Sequence, residues 1–191
     1  NSSSKKDQFS VAMVADKGGI DDKSFNQSAW EGLQAYGQEH QLKQNDGYSY
    51  LQSKSQQDYQ PNLSRLARGG ESLVFGIGNT FNEDIETVAK QFKDTQFAIV
   101  DNVVPGDNVT SITFKENEGA YLAGIVAAME TKTDHIGFVG GMKMDVIERF
   151  RAGFEAGAKS VNPKIKVDVQ YAEDFAAPEK GQAIAAGMYG K

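Results

Sequence analysis

The stretch Phe9-Ser-Val-Ala-Met-Val-Ala-Asp-Lys-Gly-Gly-Ile-Asp-Asp-Lys-Ser-Phe-Asn-Gln-Ser-Ala-Trp30 decides how the chain is read. Its first part, Phe9 to Ala15, is a short apolar run rich in Val, Met and Phe and stopped by Gly18-Gly19, the pattern of a buried strand. From Phe25 to His40 the residues Ala29, Leu33 and Tyr36 recur near helical spacing. Asp21, Asp22 and Ser24 stand ready to cap the N–H groups at that helix's start. Strand, glycine loop and helix make the first half of a βα unit, and open α/β sheets bind ligands beyond the carboxyl ends of their strands. Here that position carries a carboxylate, Asp16, with Lys17 beside it and an aromatic, Phe25, in the first helical turn. The chemistry suits a flat, uncharged, hydrogen-bonding molecule and disfavours a phosphate.

Working outward, the alternation continues. Tyr48 to Gln52 reads as a second strand and Asp58 to Arg68 as a helix, with Pro61 tolerable only in its first turn. A third strand is expected at Ser72 to Ile77, followed by the loop Gly78-Asn79-Thr80-Phe81. From Glu83 to Phe92 the residues Ile85, Val88, Ala89 and Phe92 keep the spacing of one buried helix face. Phe97 to Val100, closed by Asp101-Asn102, gives a fourth strand and Ser111 to Phe114 a fifth. Glu116 to Glu130 is a helix apolar on most sides, expected to be largely buried. This order implies a parallel sheet in an α/β fold.

A polar linker, Thr131-Lys-Thr-Asp134, separates this first lobe (9–131) from a second alternation in 132–191: strand His135 to Val139, loop Gly140-Gly141-Met142-Lys143-Met144, helix Asp145 to Lys159, strand Ile165 to Tyr171 and a helix from Glu179 to about Met188. Two strands and two helices cannot easily bury a sheet on both faces. The second lobe is therefore expected to be truncated or only partly present. Residues 1–8 read as a flexible polar tether. They are open to two interpretations: an ordinary disordered terminus, or the start of a mature lipoprotein whose processed signal and lipidated cysteine lie ahead of Asn1.

Composition narrows the function classes. Of 191 residues, 39% are hydrophobic and 24% charged, as in a globular protein. A formal charge of −6 argues against nucleic-acid binding through bulk electrostatics. The absence of cysteine removes thiol nucleophiles, disulfides and Cys-ligated metals. His40 and His135 have no partner at ligand spacing, and Asp21-Asp22 and Glu83-Asp84 fit helix starts better than metal sites. Dinucleotide, nucleotide-triphosphate and serine-hydrolase motifs do not occur. No cofactor, metal or catalytic residue is expected. What remains is a set of polar strand ends, Asp16-Lys17, Gly78-Asn79 and Asp101-Asn102, which are either ordinary turn chemistry or a pocket at one sheet edge. Phe25 and Phe175 each follow a strand and precede a helix, and each is either a core staple or a platform for a flat ring. Trp30 is read as core packing.

Together, Val11-Ala-Met-Val-Ala-Asp-Lys-Gly-Gly-Ile-Asp-Asp-Lys-Ser-Phe-Asn-Gln, Glu118-Gly-Ala-Tyr-Leu-Ala-Gly, Ile136-Gly-Phe-Val-Gly-Gly-Met and Phe150-Arg-Ala-Gly-Phe-Glu-Ala-Gly resemble the basic membrane protein family of bacterial substrate-binding lipoproteins, and within it the purine nucleoside receptors. The resemblance runs from about Phe9 to the end of the chain. It implies a type I periplasmic-binding-protein fold, with two hinged α/β lobes closing on a ligand. It also implies delivery of purine nucleosides to the permease of an ABC-type importer, an extracytoplasmic location with a lipid anchor on the cell membrane, and a monomer when full length. On this sequence Phe25 and Phe175 would stack on the base, while Asp16 and Asp101 would bond its edge with Asn26 alongside. Gly140-Gly141-Met142 would line the cleft. Family members are longer, and the ribose-holding aspartate and lysine of their later part are absent here. Two other classes stay open: a nucleoside-processing hydrolase, which would want an aspartate cluster with calcium or a base poised near neutrality, and a ligand-sensing regulatory domain.

Overall fold

The computed structural model describes residues 8–190, so the tether expected at 1–8 lies almost wholly outside the described residues. Two compact units divide the chain between Thr113 and Phe114. The first holds a five-stranded parallel sheet of β1 (Val11–Ala15), β2 (Tyr48–Gln52), β3 (Leu73–Ile77), β4 (Gln96–Val100) and β5 (Val109–Ile112), in the order β2-β1-β3-β4-β5. Its helices are α1 (Phe25–Glu39), α2 (Tyr59–Arg68) and α3 (Asn82–Gln91). These elements fall within a few residues of those expected from periodicity.

All five residues of β1 are buried, which explains an unbroken apolar run where a one-sided strand would alternate. Val11, Met13 and Ala15 join Trp30 and Leu33 of α1 on one face of the sheet. Ala12 and Val14 point the other way, into a larger core with Leu63 of α2 and Phe81, Ile85 and Val88 around α3. Trp30 packs against the rings of Tyr48 and Tyr50, the latter edge-on at 4.7 Å, so it is a core residue. Tyr59 stacks on Phe81 at 3.9 Å. Burying an aromatic or large aliphatic side chain of this kind stabilises the fold by roughly 1.5–3 kcal/mol. Pro61 occupies the third position of α2, where its missing N–H costs no intrahelical bond.

The second unit contains α4 (Glu116–Glu130), β6 (His135–Gly140), α5 (Asp145–Val161), β7 (Lys166–Tyr171) and α6 (Pro178–Tyr189), with β6 and β7 paired in parallel. The lobe boundary expected at 131/132 is thus corrected to 113/114, because α4 packs along α5 and belongs to this unit. Thr131–Asp134 is a turn inside it: the Thr131 and Thr133 hydroxyls both donate to the His135 carbonyl. A second correction concerns α4. Only Glu116, Ala120 and Gly124 are buried on it, whereas Leu122, Val126 and Met129 are each more than half exposed. The helix meets α5 through its small residues, and the large ones point away. At Gly124 an added Cβ would run into the Phe154 carbonyl, at Gly153 into that of Asn117, and at Gly157 into that of Tyr121. The two backbones therefore touch. At one end of this contact the Glu116 carboxylate, nearly wholly buried, accepts from Arg149 of α5.

The same substitution should have opposite signs at two glycines of this pair. Gly157→Ala forces α4 and α5 apart and should destabilise the second unit by ~1–3 kcal/mol. Gly119→Ala, which meets nothing within 4 Å, should stabilise α4 by roughly 0.5–1 kcal/mol. Urea unfolding followed by circular dichroism measures both. Equal stability of Gly157→Ala and the parent chain would contradict the close helix contact.

Candidate functional site

Strand order places the first unit's site. The chain steps from β1 outward to β2, then returns past β1 to β3, so the direction of winding reverses between β1 and β3. Helices diverge at such a point and leave a crevice beyond the carboxyl ends of the two strands. Asp16 follows β1 there, Gly78-Asn79 follows β3, and Asp101-Asn102 follows the adjacent β4. The three polar strand ends singled out in the sequence therefore share one edge of one sheet.

The Asp16 loop is built around its own carboxylate. Oδ1 accepts from the Gly18 N–H at 2.8 Å and from Asn26 Nδ2 at 2.7 Å. A Cβ on Gly18 would stand 3.0 Å from this oxygen, closer than ordinary packing allows. Gly19 turns the chain with φ +78°, a region that favours glycine. Gln52, at the end of β2, donates Nε2 to the Asp16 carbonyl at 2.6 Å and to the Ser53 carbonyl at 3.0 Å, closing the loop from the neighbouring strand. Asp16 Oδ2 takes part in none of these bonds, and the residue is only partly buried. One carboxylate oxygen is thus fixed by the protein and the other is available as an acceptor.

Asn26, expected alongside a ligand, is 2% exposed. Its Nδ2 donates to both Asp16 and Asp22, and its Oδ1 accepts from the Asp16 N–H at 3.3 Å. Both of its N–H bonds are spent within the chain, so it shapes the loop and offers a ligand no free donor. Asp22 caps α1 as anticipated, accepting from the Ser24, Asn26 and Gln27 backbone N–H groups. Partial burial works to raise its pKa, but these N–H bonds and the Asn26 amide outweigh it and hold the carboxyl below the usual carboxylate range. Phe25 begins α1 and is 50% exposed, which makes it a surface ring and not a core staple. Lys17, which follows Asp16 in the chain, is exposed.

Gly78 leaves β3 at φ +112°, so a side chain there would be strained even in open space. The Asn79 carbonyl that follows accepts from Asn102 Nδ2 at 3.0 Å, tying the β3 and β4 loops together. Asp101 is buried, 6% exposed, and sits in the left-handed region at φ +76°. A non-glycine residue held there stores of order 1–3 kcal/mol of strain, a cost that clusters at functional sites.

In the second unit the carboxyl ends of β6 and β7 form a shallow open pocket of ≈ 370 Å³, lined by Gly141, Ala172, Asp174, Phe175, Pro178 and Gly181 among others. The Ala172 and Asp174 N–H groups donate to the Gly140 and Gly141 carbonyls, which clips the β7 loop onto the β6 loop. The Phe175 ring lies against Gly141, where any Cβ would collide with it, and is 43% exposed. Met142 follows, half-buried and not among the pocket's walls. A larger groove, ≈ 510 Å³, runs between α4 and α5 past Tyr121 and Leu122, but it is mostly apolar and lies along helices, away from the strand ends.

Sequence reasoning singled out Asp16, Lys17, Gly78 and Asp101 at strand ends and Phe25 and Phe175 at helix starts, and the resemblance added Gly141; the structure puts the strand ends at one edge of the first sheet and Phe175 against Gly141 in the second unit. Sequence reasoning missed Gln52, whose part depends on β2 lying directly beside β1 with Gln52 opposite Ala15. Among the described residues no group of His, Asp or Glu could hold a metal ion, and no helix is long and apolar enough to cross a membrane.

The chain is similar to known proteins over nearly its whole length. The chain is 56% identical over 188 residues to the CD4+ T-cell-stimulating antigen of Listeria monocytogenes, an alignment covering 97% of this chain and 52% of that protein. It is 51% identical over 186 residues to the ABC transporter nucleoside-binding protein BmpA of Lactococcus lactis, covering 97% and 53%. A solved ABC transporter solute-binding protein from Aeropyrum pernix superimposes with a TM-score of 0.84 at 27% identity, over 95% of this chain and 52% of that one. The chain spans about half the length of the curated relatives it matches. The family model for ABC transporter substrate-binding proteins of the PnrA-like (Bmp) type matches residues 9–191, and the chain belongs to that family.

Proposed function

We propose that the protein to which this chain belongs captures nucleosides, and purine nucleosides in particular, outside the cytoplasm and passes them intact to the permease of an ABC-type importer. The observation that carries this reading is the carboxyl edge of the first sheet. Asp16 presents one acceptor oxygen whose partner oxygen is fixed, with Asp101 on the same edge and the exposed ring of Phe25 at the head of α1. In the second unit Phe175 lies against Gly141 with much of its ring uncovered. Carboxylate acceptors and open aromatic faces are what a base with N–H donors on its edge requires. Met142 and Lys17 are the chain neighbours of Gly141 and Asp16, and we assign them peripheral contacts.

Membership of a substrate-binding family supports binding without turnover, as does a site built from acceptors and rings. The nucleoside-binding relative from Lactococcus lactis supports the ligand class. A lipid anchor ahead of Asn1, with the full-length receptor working as a monomer, completes the proposal.

Carboxylates facing the ligand repel an anion. Calorimetric titration of the full-length protein should therefore show binding of guanosine or adenosine and at least ~100-fold weaker binding of guanosine monophosphate. Comparable affinity for the monophosphate would contradict the assignment.

Removing a ring should cost one stacking interaction. Phe25→Ala and Phe175→Ala are each expected to weaken nucleoside binding by ~1–3 kcal/mol, about ten- to a hundredfold, with little change in melting temperature because both rings are largely exposed. Unchanged affinity in both variants would remove stacking from the mechanism.

A further inference from the structure

Asp22 caps α1, but one of its bonds goes beyond capping. Its Oδ1 accepts from the Ser24 and Gln27 N–H groups at 2.9 and 3.0 Å. Its Oδ2 accepts from the Asn26 N–H at 3.3 Å and from Asn26 Nδ2 at 2.8 Å. The Asn26 amide therefore has carboxylate oxygens of Asp22 and Asp16 against its nitrogen and the Asp16 N–H against its oxygen. Ionised carboxylates only accept and the backbone N–H only donates, so a single orientation of this buried amide satisfies all three contacts. In that orientation Asp16 Oδ1 receives two N–H donors, from Asn26 and Gly18. These two donors occupy Oδ1 and leave Oδ2 to meet the ligand.

We propose that Asp22 is a positioning residue for ligand selection: through the Asn26 amide it fixes Asp16 as an acceptor with Oδ2 turned outward, so the loop selects a ligand presenting an N–H or O–H donor there. The proposal rests on the nucleoside reading and adds to it the residue that sets the polarity of recognition. Asp22→Asn replaces an acceptor oxygen facing Asn26 Nδ2 with a second donor. Asn26 then flips or withdraws and turns its own oxygen, or nothing, toward Asp16. Asp22→Ser keeps one oxygen to cap α1 and loses the reach to Asn26, which separates capping from positioning.

The test uses inosine, which has an N–H donor on its base, and purine riboside, whose base has none, titrated into the full-length protein and both variants by calorimetry. The unmodified protein should prefer inosine by about tenfold or more, the worth of one hydrogen bond to a charged group. Both variants should lose inosine affinity by a similar factor while purine riboside binding changes little, bringing the ratio close to one. A purely structural role would weaken both ligands together, and that result, or an unchanged ratio, would overturn the proposal. A second readout needs no ligand. The Asn26 side-chain amide protons, both bonded and buried, should exchange slowly in the unmodified protein and at least tenfold faster in Asp22→Ser, as measured by NMR. Unchanged exchange would show that Asp22 does not hold the amide, whatever the ligand. Failure of the unmodified protein to bind either nucleoside, with the exchange difference present, would overturn the nucleoside reading and the selection step while leaving the Asp22–Asn26–Asp16 clamp standing.

Discussion

The first unit depends on the complete burial of β1. Five consecutive residues, Val11 to Ala15, are covered by helices on both faces of the sheet. A strand so enclosed can turn polar only where it leaves the sheet, and Asp16 is that place. The backbone groups released there must find partners. They find them in the Asn26 amide, in the Gln52 side chain and in Gly19, whose N–H reaches the Asp16 carbonyl. The loop's hydrogen bonds thus meet the needs of the chain's own exit and consume one carboxylate oxygen, leaving the other as the group we propose for recognition.

The second unit solves a different problem with the same local grammar. Its strand–glycine–helix stretch also turns at the end of a parallel strand, but the glycine supplies a floor for an aromatic instead of room for a carboxylate. Its stability rests on the backbone contact between α4 and α5, in which glycines replace side chains, while the larger apolar residues of α4 face outward. A buried ion pair between Glu116 and Arg149 adds orientation to this contact more than net stability, since desolvating Glu116 offsets much of the attraction.

Much of this was legible in the sequence because it is local. Apolar runs of five residues bounded by Gly, Asp or Asn give strands, and Ile85, Val88 and Ala89 give the buried face of α3 without any long-range information. The alternation of strands and helices put Asp16, Gly78 and Asp101 at strand ends, and the strand order brings those ends side by side. What could not be read depends on partners distant in sequence or on the side chain's own allegiance. The hydrophobicity of α4 suggested burial, yet its packing face is chosen by Ala120 and Gly124, residues whose importance comes from a neighbouring helix. Asn26 was expected alongside a ligand only through the family resemblance, and its amide is engaged by Asp16 and Asp22 on the loop itself. Asp22 looked like a cap and is one, and its hold on Asn26 shows only when the side chains are placed.

The central claim is that Asp16 recognises its ligand as an ionised acceptor through Oδ2. A crystal structure of the full-length protein with a bound purine nucleoside tests it most directly. The account predicts a base N–H within about 2.7–3.0 Å of Asp16 Oδ2, with Oδ1 still bonded to Asn26 and Gly18. A nucleoside bound away from Asp16, or one whose acceptor atom faces a protonated Asp16, would contradict it.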